Sequence, residues 1–244
     1  MAKTGAHHDG SDDGALLALF RAIASRDDRE VARRLDESRD LAIRPIHIGA
    51  TRDYAKTYFL TAIHHYVYGG DTALHISAAA HQRRLAESLV TRGADVRARN
   101  RRGAEPLHYA ADGGPAPNGW DSMAQGDVIT YLIEAGADPN ALDKSGVAPL
   151  HRAVRNRCSI AVSALIDNGA DPILMNKTGS TPLHLAVQNT GKSNSGSDAA
   201  RDEQARIIAL LLQHGASPGD VDAKGKTVAA AASSDWIRDL LRTH

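Results

Sequence analysis

The sequence predicts an all-α solenoid of stacked helix pairs. Two short markers recur in phase along it, and an apolar stripe at helical spacing precedes one of them. The first marker is a tetrapeptide: Thr72-Ala73-Leu74-His75, Glu105-Pro106-Leu107-His108, Ala148-Pro149-Leu150-His151 and Thr181-Pro182-Leu183-His184. The first two histidines stand 33 residues apart, as do the last two, and the middle pair is 43 apart. A period of that length marks a repeat array. The second marker is Gly93-Ala94-Asp95, Gly136-Ala137-Asp138, Gly169-Ala170-Asp171 and the variant Gly215-Ala216-Ser217. Three, four and seven places before each glycine the residues are apolar, as in Ile133, Leu132 and Ile129 or Leu212, Leu211 and Ile208. That spacing lays one apolar face along a helix.

Each marker residue has a local reason. Thr181 suits a helix N-cap, where its hydroxyl satisfies a free backbone N–H. Pro182 suits the first helical position, where its missing donor costs nothing. The glycine closing the second helix reaches the left-handed cap conformation cheaply. Gly70, Gly103, Gly146, Gly179 and Gly225 recur before the next unit, where a tight turn needs positive φ.

These markers resemble the signature and period of the ankyrin-repeat family, over roughly residues 66–244. The resemblance implies two antiparallel helices per unit followed by a β-hairpin finger, with fingers and first helices lining a concave face. A single unit cannot bury its own stripe, so stacking makes the core and the end units act as caps. The expected organisation is a disordered tail over 1–13, an N-terminal helical cap with a connecting helix over 14–65, and the array over 66–244. Leu16, Leu17, Leu19, Phe20 and Ile23 form one cap helix, and Val31, Ala32 and Leu35 a second. Tyr54–Tyr66 reads as the connecting helix. Lys226-Thr227-Val228-Ala229-Ala230 is a degraded signature, followed by a last helix carrying Trp236, Ile237, Leu240 and Leu241. Glu105 and Ala148 replace the capping threonine, which predicts looser helix starts. Arg152 stands where the family has an aliphatic residue, and either snorkels to the edge of the stack or reaches a ligand.

Composition narrows the function. Lys+Arg 29 balances Asp+Glu 29, which argues against binding nucleic acid by phosphate neutralisation. Aromatic content of 4% fits a thin aliphatic core. Cys158 is the only cysteine, so no internal disulfide forms. No stretch resembles a secretory signal or the roughly 18 apolar residues of a membrane helix. The expectation is a cytoplasmic monomer.

The histidines at 75, 108, 151 and 184 are expected to bond locally as structural groups, because zinc needs about four convergent ligands. Asn189-Thr190-Gly191-Lys192-Ser193 ends like a phosphate-binding loop but has Ala186 where that pattern needs glycine. Cys158 lies near Arg155 and Arg157, and nearby cations can lower a thiol pKa; a packed thiol is the favoured reading over an enzyme nucleophile. No cofactor or metal is expected.

The resemblance places partner contacts on finger tips and the exposed face of first helices. Mapped unit by unit these are Tyr66, Tyr68 and Asp71; Arg99, Arg101, Arg102 and Asp112; Leu142, Lys144, Val147, Arg155 and Asn156; and Met175, Lys177, Gln188 and Asn189. Arg97–Arg102 with Lys144, Arg155 and Lys177 suggests a basic strip that steers an acidic protein or peptide. The finger Ile173-Leu174-Met175 is apolar. The expected function is a non-catalytic scaffold, adaptor or inhibitor. The alternative is a nucleic-acid-associated protein using the same arginines, and an enzyme ranks below both. Two insertions, 114–126 with Trp120 and 192–203 rich in Ser, Gly and Asn, are expected opposite the fingers. Trp120 is expected to pin the first loop, and the second is expected to be mobile.

Overall fold

A computed structural model describes residues 10–113, 120–188 and 197–243. Helices α1 (Gly10–Ala24) and α2 (Asp28–Glu37) form the cap. Four pairs follow: α3 (Ala73–Ala79) with α4 (Arg83–Thr91), α5 (Pro106–Ala110) with α6 (Ser122–Glu134), α7 (Pro149–Asn156) with α8 (Ser159–Asp167), and α9 (Pro182–Ala186) with α10 (Asp198–Gln213). The short α11 (Val228–Ala231) and α12 (Asp235–Arg242) close the described chain. First helices stack in the order α1, α3, α5, α7, α9, α11, and second helices in the order α4, α6, α8, α10. Leu74, Leu107, Leu150 and Leu183 of the first helices are buried, as are Leu89, Leu132, Leu165 and Leu211 of the second. Each such side chain contributes about 1.5–3 kcal/mol only once a neighbouring unit covers it.

The signature histidines join unit to unit. Nδ1 of His75, His108, His151 and His184 accepts the backbone N–H of Thr72, Glu105, Ala148 and Thr181 at 3.1–3.3 Å. Nε2 must therefore carry the proton, and it donates to a carbonyl of the next finger: Ala104, Val147, Ser180 and Lys226 at 3.0–3.3 Å. The threonine hydroxyls of Thr72 and Thr181 add a contact to Nδ1 at 3.0 and 2.8 Å. Where Glu105 and Ala148 stand instead, the histidine bond to the backbone persists unchanged.

Two more ladders run parallel to this one. In the fingers, Asn100, Asp143, Asn176 and Asp222 each accept two backbone N–H groups across their turn. Each finger is short, closed by two backbone bonds such as Asp143 N to Val147 O at 3.0 Å and Gly146 N to Asp143 O at 2.8 Å. Successive fingers are tied by cations: Lys177 donates to Lys144 O, Lys144 to Arg101 O at 2.8 Å, and Arg101 to Ala50 O. Gly179 (φ +73°) is needed in this crowding, because a Cβ there would lie 2.3 Å from Ala223 N. At the opposite ends of the helices, Arg26, His81 and Arg157 adopt left-handed conformations (φ 57, 51 and 59°). That geometry costs a non-glycine residue roughly 1–2 kcal/mol. In return each side chain bonds the next loop: Arg26 to Ala80 O at 2.8 Å, His81 to Asp112 O at 3.2 Å, Arg157 to Gln188 O at 3.0 Å.

The N-terminal region departs from the sequence reading in two ways. α1 begins at Gly10, so residues 10–13 are helical where a disordered tail was expected over 1–13; residues 1–9 lie outside the described residues. Asp13 accepts from His47 N and Ile48 N at 3.1 and 2.8 Å, which ties the following segment to the cap. Tyr54–Tyr66 is not a helix. It holds a two-stranded antiparallel hairpin, β1 (Phe59–Leu60) and β2 (His65–Tyr66), joined through a 3-10 turn with His64 left-handed at φ 50°. The segment is rich in aromatic and β-branched residues, which suit a pleated surface, and Phe59 packs across the pair on Tyr66 at 4.8 Å. Backbone bonds from Ala50 N to Val67 O and from Ile46 N to Asp71 O lay residues 46–50 along the first finger.

The first insertion separates α5 from α6, and Trp120 is held by donating to Gln125 Oε1 at 2.9 Å. Its residues 114–119, with Pro115 and Pro117, lie outside the described residues, as do 189–196 of the second insertion and the phosphate-loop-like stretch. Expected to be mobile, the second insertion is from Asp198 onward the start of α10. Its Glu203 accepts from Ser159 N at 3.0 Å and so caps the preceding unit.

The ladder predicts an acid-sensitive fold. Burial, then the charge of Arg152, holds His108 down to about 4 from an ordinary 6.5. The unfolded residue takes up its proton first, so the contribution is complete above pH 6.5 and is lost as pH falls toward 4. Urea denaturation should show stability falling from pH 7.5 to pH 5. His108→Ala, which leaves Glu105 N without its acceptor and takes one of two donors from Val147 O, should cost about 1–3 kcal/mol at pH 7.5.

Candidate interaction site on the finger face

The equivalent position of the four first helices holds Ile76, Tyr109, Arg152 and Leu185. The two central units thus carry polar side chains where the outer two are aliphatic. Tyr109 donates to Asp71 (2.8 Å to Oδ1), and Asn100 Nδ2 donates both to that carboxylate at 2.8 Å and to the tyrosine oxygen at 2.9 Å. Burial, then the Asp71 charge, raises the Tyr109 hydroxyl well above its ordinary value, so it stays a donor.

Arg152 does not snorkel; it lies at the floor of an open cavity with its guanidinium taken by two carboxylates. It clamps two carboxylates, with Nη1 2.7 Å from Asp112 and Nη2 3.0 Å from Asp143. Burial alone pushes Asp112 up, but His65 and Arg152 outweigh it and hold its pKa below the ordinary value. Burial also opposes ionisation of Asp143, where the Val147 N–H and Arg152 prevail. His65 lies 3.6 Å from Asp112 and stacks on the Tyr109 ring at 4.4 Å.

Above this cluster opens a cavity of about 930 Å³ between the first fingers, the His64–His65 turn and the loop ends. Five expected contact residues, Tyr66, Tyr68, Arg102, Asp112 and Asn156, line it. Arg101 and Arg102 lie over the Tyr68 ring at 5.3 and 4.5 Å, a cation–π arrangement. Arg99 sits apart. Its Nε is 3.1 Å from Glu105 and its Nη2 donates to Leu142 O at 2.7 Å, and it lines with Leu142 a separate cleft of about 570 Å³. Arg101, Lys144 and Lys177 form the finger ladder already described. Arg155 is exposed, and Gln188 is exposed with its carbonyl taken by Arg157 and Gln204.

Two expected contacts are not available to a partner as proposed. Asp71 is fully buried under Tyr109 and Asn100, and Asp112 is held by Arg152. Val147 presents its carbonyl to His108, and Asn189 lies outside the described residues. Leu142, Met175 and Val221 occupy one place on three successive fingers and are 39, 49 and 46% exposed, with Ile173 exposed nearby. Val221 escaped the sequence reading because the last unit's signature is degraded. Arg26, His64, His65, His81 and Trp120, which complete the cavity, escaped it because they converge from the cap, the hairpin and the loops.

The four signature histidines have both ring nitrogens engaged, and among the described residues no group of His, Cys, Asp or Glu is placed to hold a metal. Cys158 is fully buried, accepts from Ala161 N at 3.3 Å and is pushed up to about 11 by burial. Among the described residues no helix is long and apolar enough to cross a membrane.

A stack of helix pairs with an open finger face defines a repeat-built binding module. The family model for ankyrin repeats in three copies matches residues 121–195, and that for the single ankyrin repeat matches 69–101 and 178–226. Together these cover more than half of the chain, which belongs to the ankyrin-repeat family. Such repeats are generally protein–protein interaction modules, typically without catalysis. No curated protein matches the chain.

Two outcomes follow from this geometry. Arg152→Leu strands two carboxylates and should cost about 3–5 kcal/mol, read by urea denaturation. Cys158 should resist iodoacetamide in the folded protein and react fully once unfolded, read by mass spectrometry.

Proposed function

We propose that the protein is a monomeric cytoplasmic adaptor or inhibitor that holds an acidic protein or peptide segment across its finger face. One observation carries this reading. Arg101, Arg102, Lys144, Arg155 and Lys177 have no carboxylate within ion-pair distance among the described residues, although the whole chain is charge-balanced. Fixed cations on a rigid ridge raise the encounter rate with an acidic partner and disfavour basic ones. The exposed Leu142, Met175 and Val221 row offers apolar contact beside the charge, the mixture an interface core uses. In this reading residues 66–244 are the binding array and residues 14–65 its cap.

Affinity purification of the intact protein at two salt concentrations tests it. Acidic partners should be recovered, fall away at high salt, and be lost from the variant Arg101→Glu/Arg155→Glu/Lys177→Glu with its thermal melt checked. Retention of every partner by that variant rejects the reading.

A further inference from the structure

The cavity over the Tyr109–Arg152 cluster is not a bare stretch of concave groove. The hairpin of residues 59–66 walls one side, the ends of the first-helix loops another, and the fingers a third. Its size falls within the roughly 300–1,000 Å³ of small-ligand pockets. Tyr66, Tyr68 and Trp120 supply rings.

Two of the three arginines in its lining, Arg26 and Arg102, have no ion-pair partner among the described residues. Two carboxylates reach the lining. Asp112 is engaged by Arg152 and His65, and Asp121 accepts Met123 N and Ala124 N as the cap of α6. Arg102 is held only by its stacking on Tyr68, and Arg26 donates to a neutral carbonyl. A pocket with rings on its walls and an unsatisfied guanidinium at its rim is complementary to a planar ring bearing negative charge, because arginine forks onto carboxylate and stacks at once.

We propose that this cavity binds an aromatic anion, an aryl group carrying a carboxylate, whose ring sits between Tyr68 and Trp120 and whose charge meets Arg102. The proposal shares Arg102 with the finger-ridge reading but not Arg155 or Lys177, which lie outside the cavity, so variants at those two separate the readings. The same chemistry is available from a free aryl carboxylate or from an aromatic residue flanked by acids on a peptide.

Trp120 is a built-in reporter. The other tryptophan, Trp236, lies on α12 at the far end, and Trp236→Phe leaves Trp120 as the sole indole. In that background the probes are 4-nitrobenzoate, its neutral analogue 4-nitrobenzamide, and a capped peptide with 4-nitrophenylalanine between two glutamates. Saturable quenching by 4-nitrobenzoate is expected if the source is a free molecule, and by the peptide alone if it is a partner's side chain; either supports the pocket. Binding should be about tenfold or more weaker for the amide than for the benzoate. Arg102→Gln should weaken binding by a similar factor, with an unchanged far-UV spectrum, while Arg155→Glu/Lys177→Glu should leave it unaltered. Unsaturated quenching by both anionic probes, equal binding of the amide, or indifference to Arg102→Gln overturns the proposal.

Discussion

Each of the four central units of this solenoid hangs on an imidazole that faces two ways. Its Nδ1 takes the backbone N–H that opens its own first helix, and its Nε2 gives a proton to the next finger. A first helix of five residues, as in α5 and α9, cannot sustain itself by propensity, since nucleation alone is unfavourable. The histidine satisfies one of the orphan donors at its start and fixes the neighbouring unit in register. Burial makes protonation of His75, His108 and His151 costly, and protonation would also abolish the Nδ1 acceptor. The same bond therefore sets the spacing of the units and the acid limit of the fold.

Around that spine the protein adds ladders of its own. Left-handed Arg26, His81 and Arg157 accept backbone strain and return a bond to the following loop, while Lys144, Lys177 and Arg101 stitch finger to finger. A cation used in this way keeps its charge. The guanidinium or ammonium satisfies a neutral carbonyl and still presents a positive field to whatever approaches. In the proposed binding role, stability and recognition are served by the same side chains.

The central units show a different economy. Replacing two aliphatic positions with Tyr109 and Arg152 places polar groups in the stack, and each is tolerable only because every group has a partner. Asp71, Asn100 and Tyr109 close one set, and Asp112, Arg152 and Asp143 the other. Breaking either leaves a charge or hydroxyl stranded, which is why Arg152 is costly to remove although it lies beside an open cavity.

The repeat, the helix pairs, the structural role of the four histidines and the packed Cys158 were all legible in the sequence, because each depends on contacts within one unit or between identical neighbours. A fixed period repeats those contacts and makes them visible as a pattern. The hairpin at residues 59–66, the helix from Asp198 in the second insertion and the cavity were not. Arg26, His65, Trp120 and Arg102 come from four segments with no common spacing, and nothing in a local pattern says that they converge. Nor could sequence separate Arg99 from Arg101 and Arg102. All three stand within four positions on one finger, yet Glu105 takes the first and the Tyr68 ring takes the others. The sequence determined the solenoid, because its period is a local property. Only the tertiary structure decided which charges are spent on the protein itself and which remain unpaired, because ion pairing depends on distances between units.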